Sequence, residues 1–181
     1  SFYIEDSGFD TAYTSELEKI LSFDFTNNGR TQVLSECEKK KAFTRKEGFS
    51  LPFDGAAWKS LGALYVVKAR ITDKKLSVYG FSVYDNEVSR ILDVPLEGEL
   101  ALDRQRIHLL ADSIHKSFFN EKGIANTRIL YSVQTKTDAL DSYKWVAEIW
   151  ECDYDGANPR QITNEKKYCV SPIYLPPSAE E

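Results

Sequence analysis

Three runs between Asn126 and Thr163 decide the fold: Arg128-Ile-Leu-Tyr-Ser-Val-Gln134, Tyr143-Lys-Trp-Val-Ala-Glu-Ile-Trp-Glu-Cys-Asp-Tyr154 and Arg160-Gln-Ile-Thr163. All are rich in β-formers, and Asp155-Gly156 turns the second run back towards the third, which predicts a three-stranded antiparallel ribbon. The middle strand puts Trp145, Ala147 and Ile149 on one face and Val146, Trp150, Cys152 and Tyr154 on the other. A strand with one wet face alternates apolar with polar residues, whereas this one is largely apolar on both. It therefore expects cover on both sides, as one blade of a propeller receives from its neighbours.

Outward from the ribbon, the chain has 181 residues, enough for one or two domains. No run approaches the ~18 apolar residues of a membrane span, and no charged-then-apolar leader opens the chain. Methionine is absent, so Ser1 is not an initiator and the chain is expected to be a processed or cut product. The net charge of -5 argues against a general nucleic-acid binder. Cys37, Cys152 and Cys169 form neither CxxC nor zinc spacing. Their odd number leaves at least one thiol free, and Cys152 and Cys169 are expected to lie too far apart to bridge.

Upstream, residues 1 to 13 are either a short edge strand or a frayed end. Ser15 and Glu18 form a capping box for a first helix with the stripe Leu17, Ile20, Leu21, extended by Phe23 and Phe25, and Asn28-Gly29 stops it. Thr31 to Leu34 reads as a short strand. Residues 35 to 53 are charged and irregular; the basic run Lys39, Lys40, Lys41, Arg45 and Lys46 is diluted by Glu36, Glu38 and Glu47, and reads as a solvated loop or helix face. Asp54 caps a short helix through the core anchor Trp58 to Gly62. Leu64 to Thr72, Lys75 to Tyr84 and Val88 to Pro95 form a meander, in which Gly80 marks a bulge. Residues 101 to 119 make the longest helix, with Ile107, Leu110, Ala111, Ile114 and Phe118 in one stripe and Lys122-Gly123 at its end. The expected architecture is α+β: a small mixed sheet with two main helices on one face over residues 1-124, followed over 125-181 by one antiparallel blade of an incomplete β-propeller.

Candidate chemistry is sparse. His108, Asp112 and His115 lie within about 60° of one another on the long helix, yet the two histidines are about 10 Å apart, and a polar flank is the ordinary reading. There is no nucleophile elbow, phosphate-binding glycine loop or HExxH motif. No catalytic, cofactor-binding or metal-binding residue is assigned, no cofactor is expected, and partner-binding residues are not specified. The aromatic residues Tyr143, Trp145, Trp150 and Tyr154 suit packing of a half-buried pleat better than ligand stacking.

The local words carry a resemblance. Trp58-Lys-Ser-Leu-Gly-Ala-Leu-Tyr-Val-Val67, Glu121-Lys-Gly-Ile-Ala-Asn-Thr-Arg-Ile-Leu-Tyr-Ser132, Asp153-Tyr-Asp-Gly-Ala-Asn-Pro-Arg-Gln-Ile-Thr163 and Ser171-Pro-Ile-Tyr-Leu-Pro176 resemble, in that order, the TolB family where its amino-terminal domain passes into the first propeller blade. The resemblance covers roughly residues 14 to 176. It implies a non-catalytic periplasmic scaffold of the Tol-Pal envelope system, with the peptidoglycan-associated lipoprotein and TolA as protein partners and a role in envelope integrity during cell division. The chain departs from the family at both ends: the leading strands are expected to be missing, and Ile173-Tyr-Leu-Pro-Pro177 follows Ser171-Pro172 where the family has Trp-Ser-Pro-Asp-Gly words. An amino-terminal and propeller fragment of a dipeptidyl-peptidase-like hydrolase is the enzymatic alternative. An RNA-binding sheet is opposed by the acidic charge.

Overall fold

The computed structural model describes residues 2–4, 8–35, 37–136 and 145–175, the first three by backbone alone. The chain divides into two compact units, Ser1–Ala125 and Asn126–Glu181.

The first unit is built on a four-stranded sheet in the order β1-β2-β3-β4, with β1 Phe2–Ile4, β2 Tyr65–Thr72, β3 Lys75–Ser82 and β4 Glu87–Pro95. β1 pairs parallel to β2, with Ile4 opposite Ile71, and the other pairs are antiparallel, so the sheet is mixed. A leading strand is thus present, and it is an edge strand. The β2–β3 turn places Asp73 and Lys74 at φ 48° and 58°, the two left-handed positions that a two-residue hairpin of matching twist requires.

The meander matches the expected strands, but the irregularity lies elsewhere than Gly80. Leu76 faces Val94 while Val78 faces Ile91, so Leu92 and Asp93 of β4 together oppose Ser77, with Asp93 at φ 57°. Gly80 serves a close approach instead: a Cβ there would stand 3.0 Å from Phe118 Cζ and 3.4 Å from Ile114 Cγ2.

Two long helices lie on one face. α1 Thr11–Asn27 begins four residues before the predicted Ser15 capping box, because the Asp10 carboxylate accepts the Tyr13 N–H at 2.7 Å and caps the helix there. It contributes Leu17, Ile20, Leu21 and Phe25 to the core, while Phe23 stays exposed. Thr31 to Leu34, predicted as a strand, is unpaired coil. The Asn28 carboxamide holds that turn by accepting the N–H groups of Arg30 and Thr31, both at 2.9 Å.

Of the remaining helices, α2 is Glu38–Glu47, α3 is Gly55–Ser60 and α4 is Leu100–Phe119. The α4 stripe Ile107, Leu110, Ala111 and Ile114 meets Ala69, Ile71, Leu76 and Val78 of the sheet in one core. Asn120, left-handed at φ 53°, ends α4. Gly123 then passes so close to the helix that a Cβ would fall 2.1 Å from Asp112 Oδ1 and 2.8 Å from Asp112 Cα.

The expected two-layer arrangement is incomplete, because the opposite face of the sheet is covered as well. Strand alternation sends Val66 and Phe81 to that face, where they join Phe53, Trp58 and Ala63 in a second core that Phe43, Leu51 and Leu61 border. The stretch over 35–53, read from sequence as irregular, contains α2. That helix sits over this face because the fully buried Lys68 of β2 pairs with Glu47 at 2.5 Å. Lys68 also donates to Gly48 O at 2.7 Å and lies 4.5 Å from the Phe53 ring centre. Burial lowers the Lys68 pKa and Glu47 opposes that fall.

The second unit is a three-stranded antiparallel sheet, β5 Arg128–Lys136, β6 Trp145–Asp153 and β7 Arg160–Gln161, in that order. β5 and β6 pair through nine positions from Arg128–Asp153 to Lys136–Trp145. Tyr143, which the sequence puts in the middle strand, lies outside the described residues.

Candidate interaction surface

The ribbon combines two buried carboxylates with an apolar exterior. Glu148 and Glu151 are buried on opposite faces of β6, a feature that the alternation of its apolar neighbours conceals. Glu151 accepts from Arg128 Nη1 at 2.7 Å, Arg160 Nε at 2.7 Å and the Tyr174 hydroxyl at 2.8 Å. Burial pushes its pKa up, but the Tyr174 hydroxyl and the two guanidinium groups outweigh that and hold it at about 2.

Glu148 accepts from the Thr163 hydroxyl at 2.5 Å and from the Lys166 and Glu165 N–H groups at 2.7 and 3.2 Å. These bonds hold its pKa below the ordinary value, Thr163 contributing most. The same Thr163 oxygen accepts the Ile149 N–H at 2.9 Å. Beyond Gln161 the Ile162 N–H still donates to Ile149 O at 2.8 Å, and the Thr163 hydroxyl takes the return bond, so the regular strand β7 is only two residues long, shorter than the predicted 160–163 strand. The chain then returns alongside β6, with Cys169 N–H donating to Ala147 O and Ala147 N–H to Lys167 O, both at 2.8 Å.

The predicted Asp155-Gly156 turn is present. Gly156 has φ 83° and donates to Asp153 O at 2.9 Å, and Asp153 N–H donates to Ala157 O at 2.9 Å.

Outside these bonds the ribbon shows carbon. Trp145 is 44% exposed, Val146 and Trp150 are half-buried, and Ile149 is buried. Ile129, Ile162, Tyr168 and Val170 are exposed too, and Ile173 and Leu175 reach 77% and 81%. This much unpaired apolar side chain on a 56-residue unit is characteristic of surface meant to be covered.

The cysteines are free: Cys37 is exposed, Cys152 buried and Cys169 half-buried. Cys152 stands opposite Ile129 and Cys169 beside Ala147, five residues along β6 or about 17 Å at ~3.4 Å per residue. That separation is more than twice what a disulfide spans.

The helical trio of the first unit serves the packing there. His108 is buried, its Nδ1 2.8 Å from Asp24 Oδ2, so the pair ties α4 to α1. Asp112 Oδ1 accepts the Ala125 N–H at 2.8 Å, and the buried His115 packs on Phe119 with ring centres 4.9 Å apart. The polar-flank reading fails for the histidines, since both point inward. A second buried carboxylate, Asp103, accepts from Gly98 N at 2.8 Å, the Tyr13 hydroxyl at 2.5 Å and Arg106 Nη1 at 2.7 Å, and so fixes the loop before α4. Nothing in the local sequence marked Asp24 or Asp103 as buried, because His108 lies 84 residues from Asp24 and the Tyr13 hydroxyl 90 residues from Asp103.

The fold is thus a mixed α+β unit followed by an antiparallel ribbon that presents an apolar surface. No protein-family model matches the chain. It is 37% identical to the protein TolB homolog of Protochlamydia amoebophila over 97% of its own length and 37% of that protein's. It is 27% identical to the Tol-Pal system protein TolB of Rickettsia rickettsii, over 96% of this chain and 38% of the relative. The crystal structure of TolB from Acinetobacter baumannii superposes over 91% of this chain and 38% of that one, with a TM-score of 0.59 at 20% identity, a likeness of fold. The chain is TolB-like, and it spans little more than a third of the length of the curated relatives it matches.

Proposed function

We propose that the chain is the amino-terminal part of a non-catalytic scaffold of the Tol-Pal system, an α+β domain over 1-124 followed over 125-181 by the first blade of a β-propeller. The observation that carries this reading is the 37% identity, along nearly the whole chain, to a TolB homolog, together with relatives named as Tol-Pal system proteins. The apolar exterior of the second unit supports the blade reading, because a three-stranded sheet with Ile129 and Trp145 exposed, followed by a segment exposing Ile173 and Leu175, leaves apolar surface for neighbours to cover.

The proposed location is the periplasm, and no helix among the described residues is long and apolar enough to cross a membrane. The proposed partners are the peptidoglycan-associated lipoprotein, on the propeller, and TolA, through which the protein connects the outer membrane to the inner-membrane complex and serves envelope integrity and cell division. A propeller surface assembled from loops of several blades is not available to one blade alone, and interface energy concentrates in a few central anchors.

Titration calorimetry with the cognate lipoprotein tests this. A chain extended through all blades is expected to bind, and residues 1-181 are expected to bind at least tenfold more weakly. Equal affinities would move the partner site into the amino-terminal domain, and binding by neither chain would overturn the Tol-Pal reading.

A further inference from the structure

We infer that the hairpin end of the second sheet face holds a binding site for a small zwitterionic carboxylate of the size of an α-amino acid. A cavity of about 180 Å³ opens there, lined by Arg70 and Thr72 of β2, Asp73 of the turn, Lys75 and Ser77 of β3 and Asp93 of β4. Strand alternation places Arg70, Thr72, Lys75 and Ser77 on the face that also carries Lys68, with Arg70 opposite Ser77 and Thr72 opposite Lys75. The bulge in β4 brings Asp93 to the same place, where its N–H donates to the Ser77 hydroxyl oxygen at 3.2 Å.

Hydrogen-bond donors are in excess in this cavity. Arg70 is half-buried, with its guanidinium over Phe49 at 4.6 Å from the ring centre, and Phe49 in turn stacks on Tyr79 at 4.4 Å. Stacking engages the flat face of the guanidinium and leaves its edge, the N–H fork, for an acceptor. No side chain among the described residues pairs with that fork. Thr72 Oγ1 is buried and has no hydrogen-bond partner. Ser77 is 6% exposed, and its hydroxyl accepts from Asp93 while donating to nothing among the described residues. A buried hydroxyl without a partner costs stability, and a valine would fill the Thr72 position without that cost. An anionic acceptor with two oxygens answers the fork and the hydroxyls together.

Size and charge narrow the ligand. The cavity is smaller than the ~300–1,000 Å³ of sites for drug-sized molecules. Lys75 adds a second cation to Arg70, while Asp73 and Asp93 add two carboxylates, so the lining as a whole is neutral. A phosphate dianion meets repulsion from the aspartates, and a metal cation meets it from Arg70 and Lys75. A ligand with a carboxylate for Arg70 and an ammonium for Asp93 is attracted at both ends. The site does not depend on the partners proposed above.

Titration of the whole chain with L-alanine, followed by amide proton–nitrogen correlation spectra, tests this. The signals of Thr72, Asp73, Lys75 and Asp93 are expected to shift together and saturate. N-acetyl-L-alanine, L-alaninamide and inorganic phosphate are expected to bind at least about tenfold more weakly, and so is L-alanine to R70Q or D93N. T72V supplies a readout that misfolding does not imitate: its urea midpoint is expected to equal or exceed that of the wild type, because an unpaired buried hydroxyl is gone, while binding falls about threefold or more. K122Q, outside the cavity, is expected to change binding by less than about twofold. The inference is overturned by an absence of saturable shifts, by N-acetyl-L-alanine or phosphate binding as tightly as L-alanine, or by R70Q and T72V binding L-alanine like the wild type.

Discussion

Glu151 keeps its charge inside the ribbon only because three donors converge on it, so removing the charge is expected to be felt throughout the unit. E151Q weakens the bonds from Arg128, Arg160 and Tyr174, and since both guanidinium groups are about half exposed the loss is screened. About 2 kcal/mol is expected, in the range of ~1.5–3 for hydrogen bonds to a charged group. Urea unfolding followed by tryptophan emission measures it. The pH dependence follows from the direction of the shifts. Glu151 and Glu148 have pKa values lowered on folding, so their contribution is complete above the ordinary carboxylate value. It declines as pH falls from about 4.5 towards the folded Glu151 value of about 2, with the unfolded chain taking up protons first. An acid titration of the wild type is therefore expected to show a steeper loss of stability below pH ~4.5 than one of E151Q, and parallel curves would refute the assignment.

Among the elements, a buried ion pair joins α2 to the sheet, beside the packing of Phe43 on Trp58. E47Q leaves the ammonium of Lys68 buried without its counter-charge and deprives it of a partner at 2.5 Å, at an expected cost of about 3 kcal/mol. K68M removes that charge in turn. The K68M/E47Q double variant is expected to be clearly less destabilised than the two single losses added together, and additivity would show that the pair is not coupled. Trp58, whose indole donates to Glu47, gives a local fluorescence signal for the same cycle. At the other end of the unit, G123A forces a methyl group into Asp112, including its Cα at 2.8 Å, so the backbone must move and the Asp112–Ala125 bond lengthens. A loss of about 2–3 kcal/mol in thermal or urea unfolding is expected, against a smaller effect for G80A, where the neighbour at 3.0 Å is the Phe118 ring edge.

At the scale of the whole molecule, the proposed blade is stable only as far as its faces find cover. A chain extended to the length of the relatives is expected to protect Trp145 and Trp150 from acrylamide quenching more than residues 1-181 do. Residues 1-181 are also expected to bind an apolar dye and to self-associate with rising concentration. Equal quenching in both chains would remove the argument from exposed surface. Thiol titration under denaturing, non-reducing conditions is expected to count three free thiols, because Cys152 and Cys169 sit about 17 Å apart along β6.

The sequence by itself determined whatever depends on short-range pattern: the α4 stripe, the meander and its Asp73-Lys74 turn, the Asp54 cap over Trp58, and the Asp155-Gly156 turn of the ribbon. Periodicity and turn chemistry act over a few residues, so they can be read without knowing what lies opposite. The order of local words also carried the TolB resemblance. Only the tertiary structure decided where the buried charges go. Lys68 and Glu47, Asp24 and His108, Asp103 and Tyr13 are each far apart in the chain, and a charged residue in sequence is solvated by default until a distant partner and a closed face make burial tolerable. The same holds for the second covered face of the sheet and for the polarity of α2. Whether Glu47 lies among the surface charges of α2 or beneath the helix depends on which way one side chain turns, and that is set by Lys68 on the strand beneath it.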